Sequence, residues 1–201
     1  MTTTASITTS MTLTPDPAPR TEALLIEQAK ADRSAFEPLY LEHHEAIFRY
    51  LCRRTGSQDA ATDLAAEVFL TALEKIGAYT HRGAPFRAWL YRIATLKANG
   101  WARQRRRRRE RPLAEALHLV GGAPDKSAFD FDAAQAALLA LAPRHQAVLT
   151  LHHMEGLPVE RVAQIVNRPV GTVKSRLARA RQALRKALEA QDDAMQEYRH
   201  D

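Results

Sequence analysis

Apolar side chains recur every three or four residues along most of the chain, which is the spacing of one face of an α-helix. Segments 21–32, 34–56, 57–77 and 86–109 each show this spacing, and the last of them runs into a series of arginines. Few stretches alternate apolar and polar residues as a half-buried strand does. The pattern therefore predicts an all-α fold.

Residues that start and stop helices divide the periodic segments. Gly56 and Gly77 stand where two segments end, and Ser57 stands where an N-cap is needed. The stretch AYTHRGAP contains both Gly83 and Pro85, so it is expected to be a loop that leads into the helix beginning near Phe86.

Composition divides the chain into two helical modules and three less regular segments. Residues 1–20 are rich in Thr, Ser and Pro and are expected to be a disordered tail. Residues 21–111 form a first module, and residues 112–130 contain Pro and paired Gly, as linkers do. Residues 131–188 form a second module, and residues 189–201 are an acidic tail.

Charge is concentrated in two basic islands. Residues 21–102 contain ten basic and ten acidic side chains and are neutral. Residues 103–111 contain seven Arg and one Glu, and residues 131–188 contain nine basic and three acidic side chains, so each segment carries +6. Such islands are typical of surfaces that neutralise phosphates.

The second module ends in a helix pattern suited to DNA. A short apolar helix, a turn expected at Asn167 and Arg168, and the longer basic segment RPVGTVKSRLARARQAL have the order of a helix-turn-helix. On a helical projection one face of the longer helix is apolar and packs inward, namely Val173, Leu177, Ala180, Leu184 and Leu188. The opposite face has side chains that fit a major groove, namely Lys174, Ser175, Ala178 and Arg179. Flanking positions hold Thr172, Arg176 and Arg181. A solvated basic face is the alternative for the segment taken alone.

Enzyme chemistry finds little support in the sequence. Cys52 is the single cysteine, which excludes a disulfide framework and indicates a cytoplasmic protein. The histidines occur as adjacent pairs that diverge on a helix, and there is no HExxH, so no metal site, no cofactor and no catalytic residue is expected. Asp63 and Glu67 share one helix face but have no nucleophile or phosphate loop beside them. No apolar run is long enough to cross a membrane, and the N-terminus lacks the regions of a signal peptide.

Several motifs resemble one known family when taken in order. They are DLAAEVF from Asp63, PFRAWLYRIA from Pro85, the arginine-rich helix end, and GLPVERVAQIVNRPVGTVKSRLARARQAL from Gly156. Together they resemble sigma factors of bacterial RNA polymerase, in particular the small extracytoplasmic-function group that retains sigma regions 2 and 4. The resemblance covers residues 21–188.

The resemblance implies an alternative sigma factor that binds core polymerase and directs promoter recognition, DNA melting and transcription initiation. Its partners would be the beta-prime clamp helices, the beta flap, promoter DNA and an anti-sigma factor, and it would supply no chemistry of its own. Core polymerase would bind Asp63, Leu64, Glu67, Val68 and Phe69. The minus-ten element would meet Tyr79, Thr80, His81, Arg82, Arg92, Leu96, Asn99 and Arg103, with Tyr79 the aromatic freest to meet a base. The minus-thirty-five element would meet Thr172, Lys174, Ser175, Arg176, Ala178, Arg179 and Arg181.

Three positions depart from the family pattern. Family members usually carry Asn and then Asp or Asn four residues later on the minus-ten helix, where this chain has Leu96 and Gly100. Leu96 cannot form hydrogen bonds with a base edge, so reading would depend on the preceding loop or on Asn99. Pro158 replaces a Ser that often caps the first helix of the pair, a change that a first helical turn tolerates.

Two other classes of protein remain as alternatives. A helix-turn-helix repressor that dimerises through its N-terminal helices would bind a palindromic operator without polymerase. A nuclease or recombinase would use Asp63 and Glu67 to bind a metal and would cleave DNA.

Overall fold

The fold is all-α, as predicted, throughout the part of the chain that the computed structural model describes, residues 19–80, 84–110 and 133–197. Its α-helices there are α1 (Pro19–Ala31), α2 (Glu37–Thr55), α3 (Gln58–Lys75), α4 (Phe86–Glu110), α5 (Ala133–Ala140), α6 (Pro143–Leu149), α7 (Val159–Val166) and α8 (Val170–Glu197). A 3-10 turn at Arg33–Phe36 precedes α2, and another at Ile76–Ala78 follows α3. A π-helical turn at Thr150–Met154 extends α6.

Helices α1 to α4 form the N-terminal module. Helix α2 packs on both α3 and α4, and α3 packs on α4. The buried side chains that they share recur at helical spacing, and the large apolar ones that are fully buried are Leu39, Ile47, Tyr50, Leu51, Val68, Phe86, Leu90 and Tyr91. Apolar faces of this spacing are what drives short helices to pack rather than remain isolated.

The boundary between α2 and α3 follows the sequence-based expectation. Gly56 has a φ of 67° and closes α2 by donating its backbone N–H to the carbonyl of Cys52. Ser57 caps α3 through its side-chain oxygen, which accepts from the backbone N–H of Ala60 at 3.3 Å. Helix α3 ends at Lys75, slightly before the predicted stop at Gly77, because the 3-10 turn continues the chain from Ile76.

Helices α5 to α8 form the C-terminal module. Helix α8 packs on α5, α6 and α7, so it is the central element of this group. Gly156, with a φ of 67°, lies just beyond the π-helical turn and stops it as expected. Residues 1–18 of the predicted tail, the predicted linker 112–130 and the last residues 198–201 lie outside the described residues.

The two modules pack against each other. Helix α7 lies along α4, and α5 contacts α2. Buried side chains of both groups form one continuous core, in which Leu138 of α5 and Val162 of α7 join the N-terminal residues. The sequence predicts two modules joined by a linker. The structure adds that these two modules share an interface.

Replacing Gly56 by Ala is expected to lower the free energy of unfolding more than replacing Gly156 by Ala. Both glycines have a φ of 67°, so each alanine carries a left-handed strain of about 1–2 kcal/mol. A Cβ at Gly56 would in addition run into the side chain of Leu139 on α5, whereas at Gly156 no heavy atom lies within 4 Å. Urea unfolding of the two variants measures the difference. Equal losses would contradict the close packing of α5 on the end of α2.

Candidate nucleic-acid interface

The helix-turn-helix that the sequence predicts is formed by α7 and α8. Helix α7 ends at Asn167, whose φ of 52° lies in the left-handed region. Asn adopts this conformation more readily than most side chains do, so the chain can reverse there without glycine. The segment 167–169 therefore sets the angle between the two helices.

The inward faces of α7 and α8 are those expected from helical spacing. On α7, Val162, Ala163 and Ile165 are buried. On α8, the buried side chains are Val173, Leu177 and Ala180, while Leu184 and Leu188 are half-buried. This packing fixes which side of α8 remains open to solvent.

The open side of α8 carries the residues predicted to read DNA. Lys174, Ser175, Ala178, Arg179 and Arg181 are exposed, whereas Thr172 and Arg176 are half-buried. The hydroxyl of Ser175 donates to the backbone carbonyl of Thr172 at 3.0 Å, which leaves its oxygen able to accept. Among the described residues no carboxylate pairs with these cations, so they remain available to phosphates or base edges.

Three arginines of the C-terminal module crowd around Arg176. Partial burial lowers the pKa of Arg176, and the charges of Arg168, Arg144 and Arg179 lower it further. A lowered pKa on a cation means that its surroundings disfavour positive charge. A bound anion such as a phosphate would relieve this repulsion. Arg144 and Arg168 were missed by the sequence-based reasoning, which considered only the longer helix.

A second set of predicted residues lies along one side of α4. Arg92, Leu96, Asn99 and Arg103 follow one another at spacings of four, three and four residues, so they form a single stripe. Arg92, Leu96 and Arg103 are exposed, and Asn99 is half-buried. The stripe therefore combines two cations with an apolar side chain and an amide.

A cavity of about 370 Å³ separates this stripe from the C-terminal module. On one side it is lined by Arg92, Thr95, Leu96 and Asn99, and on the other by Arg144, Ala147, Ile165, Val166, Asn167, Arg168 and Arg176. The lining contains four arginines and no carboxylate. The stripe on α4 thus faces Arg176, at the edge of the predicted reading face of α8, across one cationic cavity.

Arg54 is buried where the two modules meet. Its guanidinium donates to the hydroxyl of Tyr50 at 2.7 Å, to Oδ1 of Asn99 at 2.8 Å and to the carbonyl of Pro143 at 3.2 Å. A longer bond of 3.4 Å reaches Oε1 of Gln146. All these acceptors are neutral, so the charge is stabilised by their dipoles and by the Tyr50 ring, whose centroid lies 5.7 Å from Cζ of Arg54. The sequence-based reasoning missed Arg54, although its spacing of three residues from the buried Leu51 indicates the inward face of α2.

Glu155 makes a second polar connection between the modules. Its side chain is 5% exposed, and Oε1 lies 2.7 Å from Nη1 of Arg53. The hydroxyl of Tyr91 donates to Oε2 at 2.6 Å. Burial, and then the charge of Glu155, raise the pKa of Tyr91 well above its usual value, so the hydroxyl stays protonated and donates to the carboxylate. One carboxylate from the end of the π-helical turn therefore holds both α2 and α4.

Replacing Glu155 by Ala is expected to loosen the contact between the modules. The change removes two charge-assisted hydrogen bonds and leaves the Tyr91 hydroxyl without its acceptor, at a cost of about 2 kcal/mol. Small-angle X-ray scattering should show a larger radius of gyration, and urea should unfold the variant earlier. Glu27→Ala is the matched control because it breaks only the exposed pair with Lys30. An unchanged radius in Glu155→Ala would contradict the connecting role of this carboxylate.

Tyr79, in the loop before α4, is not the exposed aromatic side chain that the sequence predicts. This side chain is 7% exposed, and its ring packs on Phe86 and Trp89 with centroids 5.4 and 4.9 Å away. Burial, and then the charge of Glu22, raise the pKa of Tyr79 to about 12. Tyr79 is therefore a core residue in this arrangement and is not free to meet a base. Thr80 is exposed beside it, and His81 and Arg82 lie outside the described residues.

The residues expected to bind polymerase divide into two groups on α3. Asp63 and Glu67 are exposed, and Oε2 of Glu67 lies 2.8 Å from Nζ of Lys97. Leu64, Val68 and Phe69 are buried against the rest of the N-terminal module, so in this arrangement they support the surface of α3 rather than form it. Leu70, 58% exposed on the same helix, was missed by the sequence-based reasoning. Its exposure marks it as apolar surface next to the acidic pair.

Metal-binding clusters and membrane-spanning helices are two other features that the described residues could contain. Within the described residues, no group of three or more His, Cys, Asp or Glu could hold a metal ion. No helix in that part of the chain is both long and apolar enough to cross a membrane. Cys52 is half-buried, and burial raises the pKa of its thiol, as expected for a packing residue rather than a nucleophile.

Comparison with known proteins assigns both modules. Residues 39–109 match sigma-70 region 2, and residues 131–184 match sigma-70 region 4. The extracytoplasmic-function (ECF) RNA polymerase sigma factor BldN of Streptomyces coelicolor is 34% identical over 177 residues, covering 85% of this chain and 66% of that protein. The RNA polymerase sigma-H factor of Pseudomonas aeruginosa is 34% identical over 181 residues, covering 82% of this chain and 92% of its own length.

A solved structure agrees with these matches. The sigma factor RpoE of Bartonella quintana, in complex with the anti-sigma factor NepR, is 25% identical with a TM-score of 0.58. The likeness covers 77% of this chain and 96% of that one. The chain belongs to the sigma-70 family of RNA polymerase sigma factors, in the extracytoplasmic-function group. It is thus an alternative sigma factor, which directs promoter recognition and transcription initiation, and sigma factors are non-catalytic subunits.

Proposed function

We propose that the two modules share the work of promoter recognition. The acidic surface of α3, with Asp63 and Glu67, binds core polymerase. The stripe on α4 and the preceding loop bind the minus-ten element, and the open face of α8 binds the minus-thirty-five element. The observation that carries this division is the cavity lining between the modules, which has four arginines and no carboxylate and includes the stripe on α4 and Arg176 of α8. Phosphates neutralised by such surfaces provide much of the affinity for DNA.

The packed arrangement of the modules requires a change of shape before DNA binds. Helix α7 packs on α4, and Arg176 of α8 lines the same cavity as the stripe on α4. Although Arg92, Leu96 and Arg103 are exposed, α7 packed on α4 obstructs the approach of a duplex or a separated strand to the whole stripe. Core polymerase would therefore separate the modules when it binds, and each surface would then meet its own promoter element.

An anti-sigma factor is the second partner that we propose. RpoE of Bartonella quintana is described in complex with NepR, and the likeness extends over most of both sigma chains. A partner of this kind would hold the modules in an arrangement that polymerase cannot use. The protein would act in the cytoplasm, where polymerase and promoters are found, and would supply no chemistry of its own.

Run-off transcription with core polymerase tests the function directly. Purified protein and core enzyme are expected to initiate at a small set of sites on genomic DNA, whereas either component alone is not. A gel shift with and without core enzyme separates this function from that of a repressor. Tight binding to a palindromic operator by the free protein, with no effect of core enzyme, would favour the repressor. Metal-dependent cleavage that is lost in Asp63→Ala would favour a nuclease.

Replacing Arg179 by Ala is expected to weaken binding to the minus-thirty-five element by about 1–3 kcal/mol. Arg179 is exposed on the open face of α8, and its guanidinium can reach a base edge there. Promoter variants at each position of the element should show relaxed preference at one position only. Equal weakening on all sequences would instead make Arg179 a phosphate contact.

Replacing Glu67 by Lys is expected to abolish co-purification with core polymerase while leaving the fold intact. Glu67 is exposed, and its partner Lys97 sits 2.8 Å away at the surface, so the charge reversal changes the surface rather than the core. Glu45→Lys is the matched control, because Glu45 is also an exposed glutamate paired with a basic side chain, Arg49 at 3.6 Å, but lies on α2. Circular dichroism of both variants checks the fold. Normal recovery of polymerase with Glu67→Lys would remove α3 from the binding surface.

A further inference from the structure

The stripe on α4 presents three kinds of chemistry side by side. Arg92 supplies a cation, Leu96 an apolar surface that is 63% exposed, and Asn99 an amide, and all three border the same cavity. Among the described residues no carboxylate pairs with Arg92. A nucleotide offers the complementary groups, which are a phosphate, an apolar ring edge and polar ring atoms.

Arg54 determines which group of Asn99 is available. A guanidinium has only donors, so the atom of Asn99 that lies 2.8 Å from Nη2 of Arg54 must be the amide oxygen. The amide nitrogen has no hydrogen-bond partner in the described part of the chain. Asn99 therefore offers donors to a ligand. Adenine is disfavoured, because its edge needs both a donor and an acceptor from the same amide.

The orientation of Asn99 does not depend on the C-terminal module. Arg54 is 2% exposed and also donates to the hydroxyl of Tyr50, which in turn is bonded to Thr95 of α4 at 2.8 Å. These partners all belong to α2 and α4. When the C-terminal module moves away, Arg54 loses Pro143 and Gln146 but retains the contacts that hold Asn99.

Leu96 favours a base that carries an apolar group. An exposed apolar side chain gains from covering another apolar group, and on a base edge that group is the methyl of thymine. Thymine also carries the O4 acceptor on the neighbouring ring atom. Cytosine presents a donor in place of O4, and guanine has acceptors but no methyl group.

We propose that Leu96 and Asn99 together read one thymine of the promoter, and that Arg54 is the positioning residue that turns the Asn99 amide toward it. The inference rests on the proposed function, and it assigns a base preference to the minus-ten surface of α4. Leu96 contacts the methyl group, Asn99 donates to O4, and Arg92 lies beside the adjoining phosphate.

The test uses holoenzyme, formed from core polymerase and the full chain, on templates with single base replacements. Each non-template thymine of the minus-ten element is replaced in turn by uracil, which lacks the methyl, or by cytosine, which replaces O4 with a donor. At one position we expect open-complex formation to fall about fourfold with uracil and about tenfold or more with cytosine.

Protein variants should remove these two effects separately. We call the fall in open-complex formation with each base the uracil penalty and the cytosine penalty. In Leu96→Ala the uracil penalty at that position disappears while the cytosine penalty remains. In Asn99→Ala the reverse is expected, and Asn99→Asp should prefer cytosine, since its second carboxylate oxygen can accept from the amino group. Leu24→Ala is the matched control, because Leu24 on α1 is 65% exposed and lies outside the cavity lining.

The positioning role of Arg54 has its own readout. Arg54→Lys retains the charge but cannot bridge Tyr50 and Asn99 with a rigid fork, so the cytosine penalty should shrink while the uracil penalty stays. If this variant does not fold, Tyr50→Phe removes one acceptor of Arg54 at nearly constant volume and should show a smaller change of the same kind. Equal loss on all templates would make Arg54 merely structural.

Two negative results have different meanings. If wild-type holoenzyme initiates at promoters but both penalties are unchanged in Leu96→Ala and Asn99→Ala, this inference is overturned and the proposed function stands. If no promoter-dependent initiation occurs with any template, the proposed function itself fails.

Discussion

The buried charge of Arg54 is the constraint on which the arrangement of the whole molecule depends. A guanidinium removed from water must have its donors satisfied, or the fold loses several kcal/mol, roughly the cost of an unpaired buried charge. Here the acceptors come from α2, α4 and the start of α6, so one side chain ties together the N-terminal helices and the first turn of α6 in the C-terminal module. Because these acceptors are neutral, water can replace those of α6 when the modules separate. A carboxylate in their place would have made the junction harder to open.

Repulsion between like charges opposes the packing of the two modules. Partial burial, and then the charges of Arg168, Arg144 and Arg179 within the C-terminal module, lower the pKa of Arg176. Arg92 lines the same cavity as Arg144, Arg168 and Arg176, so packing of the modules adds a like charge to this cluster. Glu155 supplies the attraction that offsets it, through Arg53 and Tyr91. A closed arrangement that combines a shared apolar core with a few polar contacts and with like charges around one cavity is suited to opening when polyanionic DNA and polymerase compete for its surfaces.

Sequence patterns were sufficient for the helices and for the outward face of α8, because both depend on local spacing. Once α8 is helical, its apolar face must point inward, and that face is formed by Val173, Leu177 and Ala180. Lys174 and Arg179 must then face outward. Tyr79 could not be predicted in this way, since its burial depends on Phe86 and Trp89 across a loop. Contacts between modules, such as those of Glu155, depend on tertiary packing that no local pattern records. Arg54 lies between these cases, because its spacing indicated burial but could not indicate its partners.

Arg54 changes the consequence expected from having Leu96 where family members usually carry Asn. A family-like Asn at this position would offer both donor and acceptor, and would allow several bases. An apolar side chain beside an amide whose oxygen is already engaged narrows the choice to a base with a methyl group next to an acceptor. Loss of a hydrogen-bonding residue therefore need not mean loss of specificity, provided that a neighbouring buried cation fixes the orientation of the amide that remains. In this chain the same arginine that joins the modules fixes that orientation, so folding and base preference depend on one side chain.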